Sequence, residues 1–409
     1  MLIFEFKAYG KENQFAAIDG AIRTFQFIQN KCLRFWMDNE KVSKYDLNKY
    51  SAVLAKEFPF ADKLNSMARQ SAAERAWSAI SRFYDNCKKK VQGKKGFPQF
   101  KHDTRSVEYK TTGWKLADDR KSITITDKTG IDKLKLKGTR DLHFYQKEQI
   151  KRVRLLKKVD GYYVQFCVDV ERKESIEPSG KTIGLDVGLK EFYTDSNGET
   201  VDNPRFLRKG EKRLQQAQRR VSRKKKGSSN RRKARRLLGK RHLKISRQRK
   251  DHAVKLARCV IQSNDCVAYE DLRIKNMVKN HCLAKSISDA SWYQFRVWLE
   301  HFGKVFGRIT IGVNPAYTSQ KCSSCGTVVK KSLSTRTHVC KCGCVLDRDH
   351  NAALNILQKA IGSTGHIGMA GQAKTYELDS LNASGEMTST LVEQSCQSKS
   401  LRREKNPLP

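Results

Sequence analysis

No run of about 18 apolar residues, the length a membrane-crossing helix needs, occurs anywhere in the 409-residue chain. The mean hydropathy of -0.68 agrees with that absence, and no membrane partner is expected. Acid is scarce as well: 42 Asp and Glu stand against 82 Lys and Arg, a formal net charge of +40. Self-repulsion on that scale penalises compaction unless a polyanion neutralises it, and nucleic acid is the natural partner. The first residues, Met1-Leu-Ile-Phe-Glu-Phe-Lys, alternate like a strand. They lack the basic start, long apolar core and small-residue cleavage site of a signal peptide, so a cytoplasmic location is expected. Disulfides are disfavoured too, because of twelve cysteines five crowd between Cys322 and Cys344 while the rest scatter singly. That is metal-site spacing on a reduced background; Cys32, Cys167 and Cys259 read as small buried hydrophobes.

What is present divides the chain into several structural units, as its length requires. Phe15, Ile18, Ile22, Phe25, Ile28, Cys32 and Phe35 recur at helical spacing within 12–37, and Ala73, Trp77, Ile80 and Tyr84 mark a second helix. A basic, glycine-containing turn over 88–101 ends the helical region. Four segments then alternate with period two: Ser122 to Thr126, Lys133 to Lys137, Lys151 to Leu155 and Tyr162 to Val170, with Asp160-Gly161 as a hairpin turn. A small antiparallel barrel or sheet is expected there. After Pro178 an α/β unit begins with the strand Thr182-Ile-Gly-Leu-Asp-Val-Gly and a second strand at Phe192. Cys266 to Glu270 and Arg308 to Val313 read as further strands, and Trp292 to Phe306 as an amphipathic helix, consistent with one mixed sheet.

Leu207 to Arg258 carries 23 Lys and Arg and only two acids, Glu211 and Asp251. Charge runs are usually solvated faces, but this density exceeds what solubility requires. A break at Gly227 to Asn230 suggests a helical hairpin, with Arg219, Arg220, Arg223, Lys224, Lys225, Lys226, Arg231, Arg232, Arg235 and Arg236 as nucleic-acid contacts. The segment 363–409 is rich in small polar residues and balances five bases with five acids; a disordered tail is expected.

Cys322-Ser-Ser-Cys325-Gly and Cys340-Lys-Cys342-Gly form two knuckles, each with a glycine after its second cysteine to permit the tight turn. Four thiolates suit one tetrahedral Zn²⁺ in a closed site that folds the segment and performs no chemistry. Cys344 is an alternative to Cys342 as fourth ligand, and Cys342 is preferred for the glycine that follows it.

Three acids sit where strands end or helices begin, the positions from which carboxylates can converge on divalent cations. Asp186 lies in Gly184-Leu-Asp-Val-Gly188, where it is either a ligand or a turn or capping residue. Glu270 ends the strand Cys266-Val-Ala-Tyr-Glu, with Asp271 beside it as a cap or turn residue. Asp349 opens the helix Asp-His-Asn-Ala-Ala-Leu-Asn-Ile-Leu, where an N-cap role competes, while Asp347 could brace Arg348.

Taken in order, these pieces resemble the TnpB family, the RNA-guided nucleases of bacterial insertion sequences and relatives of type V CRISPR effectors. The residues that carry the resemblance are Gly96-Phe-Pro-Gln-Phe-Lys101, Gly184-Leu-Asp-Val-Gly, Glu270-Asp-Leu and Ser286-Ile-Ser-Asp-Ala-Ser-Trp292. To these are added Asn314-Pro-Ala-Tyr-Thr-Ser-Gln-Lys-Cys-Ser-Ser-Cys-Gly326 and Leu346-Asp-Arg-Asp-His-Asn-Ala-Ala-Leu-Asn-Ile356. The match runs from Met1 to about Ile361.

The resemblance implies a multidomain α+β protein built on an RNase H-like (RuvC) α/β nuclease with an inserted four-cysteine zinc ribbon. It implies a wedge-type β-barrel over 1–9 and 95–177, a helical recognition domain over 10–94, the nuclease over 178–313 with its basic hairpin at 207–258, the ribbon at 314–345 and a last nuclease segment at 346–362. Carried over residue by residue, Asp186, Glu270 and Asp349 would bind two catalytic Mg²⁺ ions, or Mn²⁺ in their place. The implied partners are a guide RNA from the transposon's own end and double-stranded target DNA, with the protein a monomer on its RNA, prokaryotic and associated with the nucleoid. In such a system base pairing reads the target, and the protein reads a short flanking motif. A nuclease-inactive RNA-guided repressor requires loss of a carboxylate, and all three remain; a guide-independent transposase would use the same metal chemistry.

Overall fold

The computed structural model describes residues 2–139, 141–332 and 335–364. Most of the expected tail, from 365 onward, therefore lies outside the described residues. Two compact units meet in the chain at Glu171 and Arg172.

The first unit opens with β1 (Leu2–Tyr9), followed by the helices α1 (Glu12–Asp38), α2 (Lys44–Glu57), α3 (Pro59–Asp62) and α4 (Ser66–Lys88). The strands β2 (Ser106–Lys110), β3 (Trp114–Leu116), β4 (Ser122–Ile125), β5 (Lys133–Lys137), β6 (Ile150–Lys158) and β7 (Gly161–Val168) complete it. Helix α1 buries Ile18, Ile22, Phe25, Ile28 and Cys32, the stripe its spacing predicts. Helix α2 starts on a Ser43–Asp46 capping box and buries Leu47, Ser51, Leu54 and Ala55 along one face. The strands form an antiparallel sheet in the order β2-β6-β7-β1-β5-β4-β3. No ladder joins β2 to β3 among the described residues, so hydrogen bonding makes an open antiparallel sheet, one of the two forms, barrel or sheet, that the alternation allowed. The β6–β7 turn is Val159-Asp160 and not Asp160-Gly161, because Lys158 pairs with Gly161 and takes that glycine into the strand. Phe4, Phe6, Val164 and Phe166 of the sheet share one core with Phe25 and Ile28.

The second unit holds β8 (Thr182–Val187), β9 (Glu191–Asp195), β10 (Thr200–Asp202), α5 (Phe206–Ser222), α6 (Ser229–Ser263), β11 (Cys266–Glu270), α7 (Ile274–Met277), α8 (His281–Ala290), α9 (Trp292–Phe306) and β12 (Ile309–Val313). A short antiparallel pair, β13 (Thr337–Val339) and β14 (Val345–Asp347), precedes the closing helix α10 (Arg348–Thr364). The sheet runs β10-β9-β8-β11-β12. Strands β10, β9 and β8 pair antiparallel, whereas β8, β11 and β12 pair parallel. Parallel pairing demands crossovers; one carries the hairpin α5–α6, the other carries α7, α8 and α9.

Candidate active site and cysteine metal centre

Side chains alternate across a strand, so Gly184 and Asp186 share one face of β8, and Ala268 and Glu270 share one face of β11. Gly184 pairs with Ala268 and Leu185 with Tyr269; the next pair in that parallel register is Asp186 with Glu270. Gly184 and Ala268 are the smallest side chains available, and α10 rests on them. Ile356 and Ala360 pack against Ala268 and Val313, and the backbone of Ala353 passes directly over Gly184. Asp349 lies one helical turn before Ala353 and projects from the same face. The helix thus brings its first turn toward the acids at the strand ends.

The electrostatics carry the same placement. Asp186 is half-buried, and its carboxyl is pushed well above the usual range by burial and then by the charges of Glu270 and Asp349. Burial also raises Glu270, opposed by a hydrogen bond from the Thr318 hydroxyl and by the charge of Lys359. Like charges gathered in a partly dry site disfavour ionisation, and a cation removes the penalty. The donor set therefore fits a hard divalent cation. Asp349 is meanwhile held by Arg348 at 3.1 Å and Arg336 at 3.4 Å. Among the described residues the acids do not draw together into a cage whose ligand atoms all lie within 4.8 Å of one another. A pair of ions about 3.5–4 Å apart calls for a more open arrangement than such a cage.

Two open alternatives close. Asp347, not Asp349, caps α10, accepting from the N–H groups of Asp349 (2.8 Å) and His350 (3.3 Å). Asp271, expected as a cap or turn residue, instead puts its carboxylate on the Arg296 guanidinium.

The Sγ atoms of Cys322, Cys325, Cys340 and Cys342 all lie within 4.8 Å of one another. Two of the separations are 3.7 Å (Cys322 to Cys342) and 3.5 Å (Cys325 to Cys340). A tetrahedron built on Zn–S bonds of about 2.3 Å has edges of about 3.8 Å. Gly326 and Gly343 turn the knuckles at φ of 78° and 86°, the left-handed region that favours glycine. Cys344 does not belong to this group of four; its carbonyl accepts from Cys340 N–H and closes the second knuckle. The side-chain and backbone hydrogen bonds that Cys325 shares with Thr327 bring it down to about 6, toward the thiolate that a metal requires.

In the basic hairpin α5 buries Leu214, Ala217 and Val221 along one seam. Of the ten expected contacts, Arg219, Arg220, Arg223, Lys224, Lys225, Lys226, Arg232, Arg235 and Arg236 are exposed. Arg231 is half-buried and donates to the carbonyls of Val221 and Lys224, closing the C-terminal end of α5. Its first task is structural. Sequence pattern alone did not reveal Asp289, a buried carboxylate that accepts from the N–H groups of Leu207 and Arg208 at the start of α5 and from Arg249 of α6. Nor did it reveal Thr318, Asn351, Asn355 and Lys359, whose roles depend on a loop conformation that local pattern does not encode.

A family model described as a probable transposase, OrfB_IS605, matches residues 165–281, and the Cas12f1-like TNB domain model matches residues 292–356. A Streptomyces pristinaespiralis protein provisionally described as an RNA-guided DNA endonuclease is 30% identical over 378 residues, 88% of this chain and 90% of its own length. The chain belongs to the TnpB family. A second relative, the Escherichia coli K12 protein InsQ, carries the same provisional description and is 30% identical over 225 residues, 51% of this chain and 56% of its own. Among solved structures, a Cas12f1 chain in complex with single-guide RNA and target DNA aligns with a TM-score of 0.50 at 14% identity, covering 84% of this chain and 81% of that one. That likeness concerns the fold alone: TnpB-family membership here joins a mixed helix and sheet architecture to a four-cysteine cluster.

Proposed function

We propose that this chain is an RNA-guided DNA endonuclease of an insertion sequence, cleaving double-stranded DNA beside a short flanking motif. In this reading Asp186, Glu270 and Asp349 hold the catalytic divalent cations. The observation that carries it is the parallel register of β8 and β11, paired as far as Leu185 and Tyr269 so that Asp186 and Glu270 follow next on adjacent strands, with the charges of Glu270 and Asp349 acting on Asp186. The sheet order, antiparallel on one side of β8 and parallel on the other, supports an RNase H-like, RuvC-type unit. The first unit is read as a wedge-type sheet domain with α1–α4 as the recognition helices, and the four cysteines as ligands of one structural zinc. The relatives' descriptions support RNA guidance.

Bound divalent cations would supply Lewis-acid stabilisation and a water activated near neutral pH. The chain's part is to deliver charge and geometry. Asp186, its carboxyl raised by burial and by the charges of Glu270 and Asp349, would give up its proton to a bound cation, so cation binding would release protons. Glu270 is braced by Thr318, and Asp349 is steered by Arg336 and Arg348. The exposed cations of α5 and α6 engage phosphates without reading bases, which leaves target choice to pairing with the guide.

The test is a cleavage assay on the complex co-purified with its RNA. Plasmids carry a sequence matching that RNA beside a randomised flank. Mg²⁺-dependent double-strand cutting at one enriched flank is expected, with Asp186→Ala inactive and still RNA-bound; cutting that survives chelation or Asp186→Ala removes the proposal. The transposase description of the matched family favours one second reading, a guide-independent transposase. Activity that persists after the RNA is digested supports that alternative. A nuclease-inactive repressor is disfavoured because the three acids are intact.

A further inference from the structure

Strand β12 ends at Val313, which pairs with Glu270. The chain then turns back over the end of the sheet as the loop 314–323, which leads into the first cysteine knuckle. Within this loop Thr318 is only 3% exposed, and its hydroxyl reaches Glu270 Oε1 at 2.5 Å. The Pro315 carbonyl lies 2.9 Å from the same hydroxyl. A hydroxyl has one hydrogen, and the charge-assisted bond to the carboxylate is the stronger claim on it.

The loop does not hold this shape by itself. Tyr317, a bulky residue, sits at a φ of 63°, a conformation that persists only where the surroundings dictate it. The surroundings are one stripe of α10. Lys359 donates to the carbonyls of Asn314 and Ala316, and Asn355 to those of Thr318 (2.8 Å) and Lys321 (2.6 Å). Asn351 donates to Lys321 O and accepts from Ser323 N–H. Positions 351, 355 and 359 repeat at one helical turn and so share a face. Asn351 and Asn355 are 0% and 2% exposed, and buried amides are retained only where their bonds are satisfied. The opposite stripe, through Ala353, Ile356 and Ala360, packs on the sheet. One helix therefore fixes both the strand carrying Asp186 and the loop carrying Thr318.

We propose that Thr318 is a positioning residue for Glu270: its hydroxyl occupies one lone pair of Oε1 and leaves the rest of the carboxylate aimed at a cation. This rests on reading Glu270 as a cation ligand. Groups that orient a metal's ligands are typically worth about 10–100-fold in metal affinity.

The experiment measures Mn²⁺ bound to the full chain from loss of the free-ion paramagnetic resonance signal, alongside the Mg²⁺ concentration giving half-maximal cleavage by the RNA complex. Thr318→Val keeps the shape and removes the hydroxyl. It is expected to weaken Mn²⁺ binding and raise the Mg²⁺ requirement about tenfold, with zinc content and melting unchanged. Thr318→Ser is expected to restore both. Thr318→Ala removes the hydroxyl without setting a methyl against the carboxylate, and gives the same answer if the valine variant fails to fold. Wild-type Mn²⁺ affinity in the valine and alanine variants, or no rescue by serine, overturns the proposal. Asp186→Ala in parallel separates the two readings. If it abolishes Mn²⁺ binding while Thr318→Val does not weaken it, only the positioning role falls. If Asp186→Ala binds Mn²⁺ normally, the cation site falls and the positioning role with it.

Discussion

A Cβ placed on Gly184 would lie 2.3 Å from the carbonyl oxygen of Ala353, so the closing helix rests on β8 at an approach only glycine admits. The nearest other atoms, Leu357 N at 2.9 Å and its Cβ at 3.0 Å, are also parts of α10 that do not swing aside. This approach sets the height of α10 above the sheet and therefore the reach of Asp349 toward Asp186. The glycine is part of the geometry of the acids without contributing an atom to them.

Gly184→Ala is expected to push α10 away from the strand. Overpacking a well-filled interior typically costs about 1–3 kcal/mol, to be read as a lower melting temperature. Cleavage should fall by more than the loss of folded protein accounts for, because Asp349 moves with the helix. Cleavage in proportion to the folded fraction at every temperature would show that the helix height is immaterial.

The acids predict a pH and cation dependence of definite sign. A carboxyl whose folded-state pKa is raised favours the folded state while protonated, and that contribution is lost as pH rises from the unfolded value through the folded one. Asp186 is such a group, lifted by burial and by its acidic neighbours. Without divalent cations the chain should therefore lose stability as pH climbs through the acidic range toward neutrality, and Asp186→Asn should melt higher than wild type at neutral pH. Mg²⁺ should stabilise the wild type and leave the asparagine variant little changed, since binding to the native state is what raises its melting temperature. Calorimetry with and without chelator checks both; an asparagine variant that melts lower without cation contradicts the electrostatic account.

The cysteine cluster predicts one tightly held zinc per chain. Replacing Cys322, Cys325, Cys340 or Cys342 by serine should release it, whereas Cys344→Ser should retain it, since Cys344 stands outside the four converging sulfurs. Structural zinc sites carry about 10–16 kcal/mol of apparent binding energy, so its loss should unfold 322–347 and, through Asn351 and Asn355, loosen the loop before it. Elemental analysis of each variant decides the fourth ligand.

Much of this was legible in the residues, for reasons that differ by level. Cys266–Glu270 and Trp292–Phe306 emerge at their expected limits because a β-rich run ending on an acid and an aromatic stripe at helical spacing are local signals. The knuckles were legible because ligand spacing and the following glycines are also local. The short β2, β3 and β10 were missed; strands of three to five residues carry too little alternation and are fixed by their neighbours. Thr318 was hidden for a deeper reason. Its meaning lies in a hydrogen bond to Glu270, 48 positions away, made possible by a stripe of polar residues on a third element. The stripe itself could have been found, since Asn351, Asn355 and Lys359 recur at helical spacing opposite an alanine-rich face, and polar residues at that spacing beside an apolar face signal a second buried surface.

Charge reversal on the hairpin should separate binding from folding. Arg219, Arg220, Lys224, Lys225 and Lys226 are exposed, and changing them to Glu should weaken nucleic-acid binding across sequences without lowering the melting temperature. Each duplex phosphate that is no longer neutralised should reduce the slope of log affinity against log salt by about 0.9. Arg231→Ala should behave in the opposite way. It removes the guanidinium that closes the end of α5 on the carbonyls of Val221 and Lys224, so stability falls, by roughly 1–3 kcal/mol for removal of a charged hydrogen-bond donor. Its effect on the salt slope should be small. Salt titrations of binding alongside thermal melts read both quantities, and a reversal variant whose salt slope is unchanged would mean that these cations face solvent in the complex.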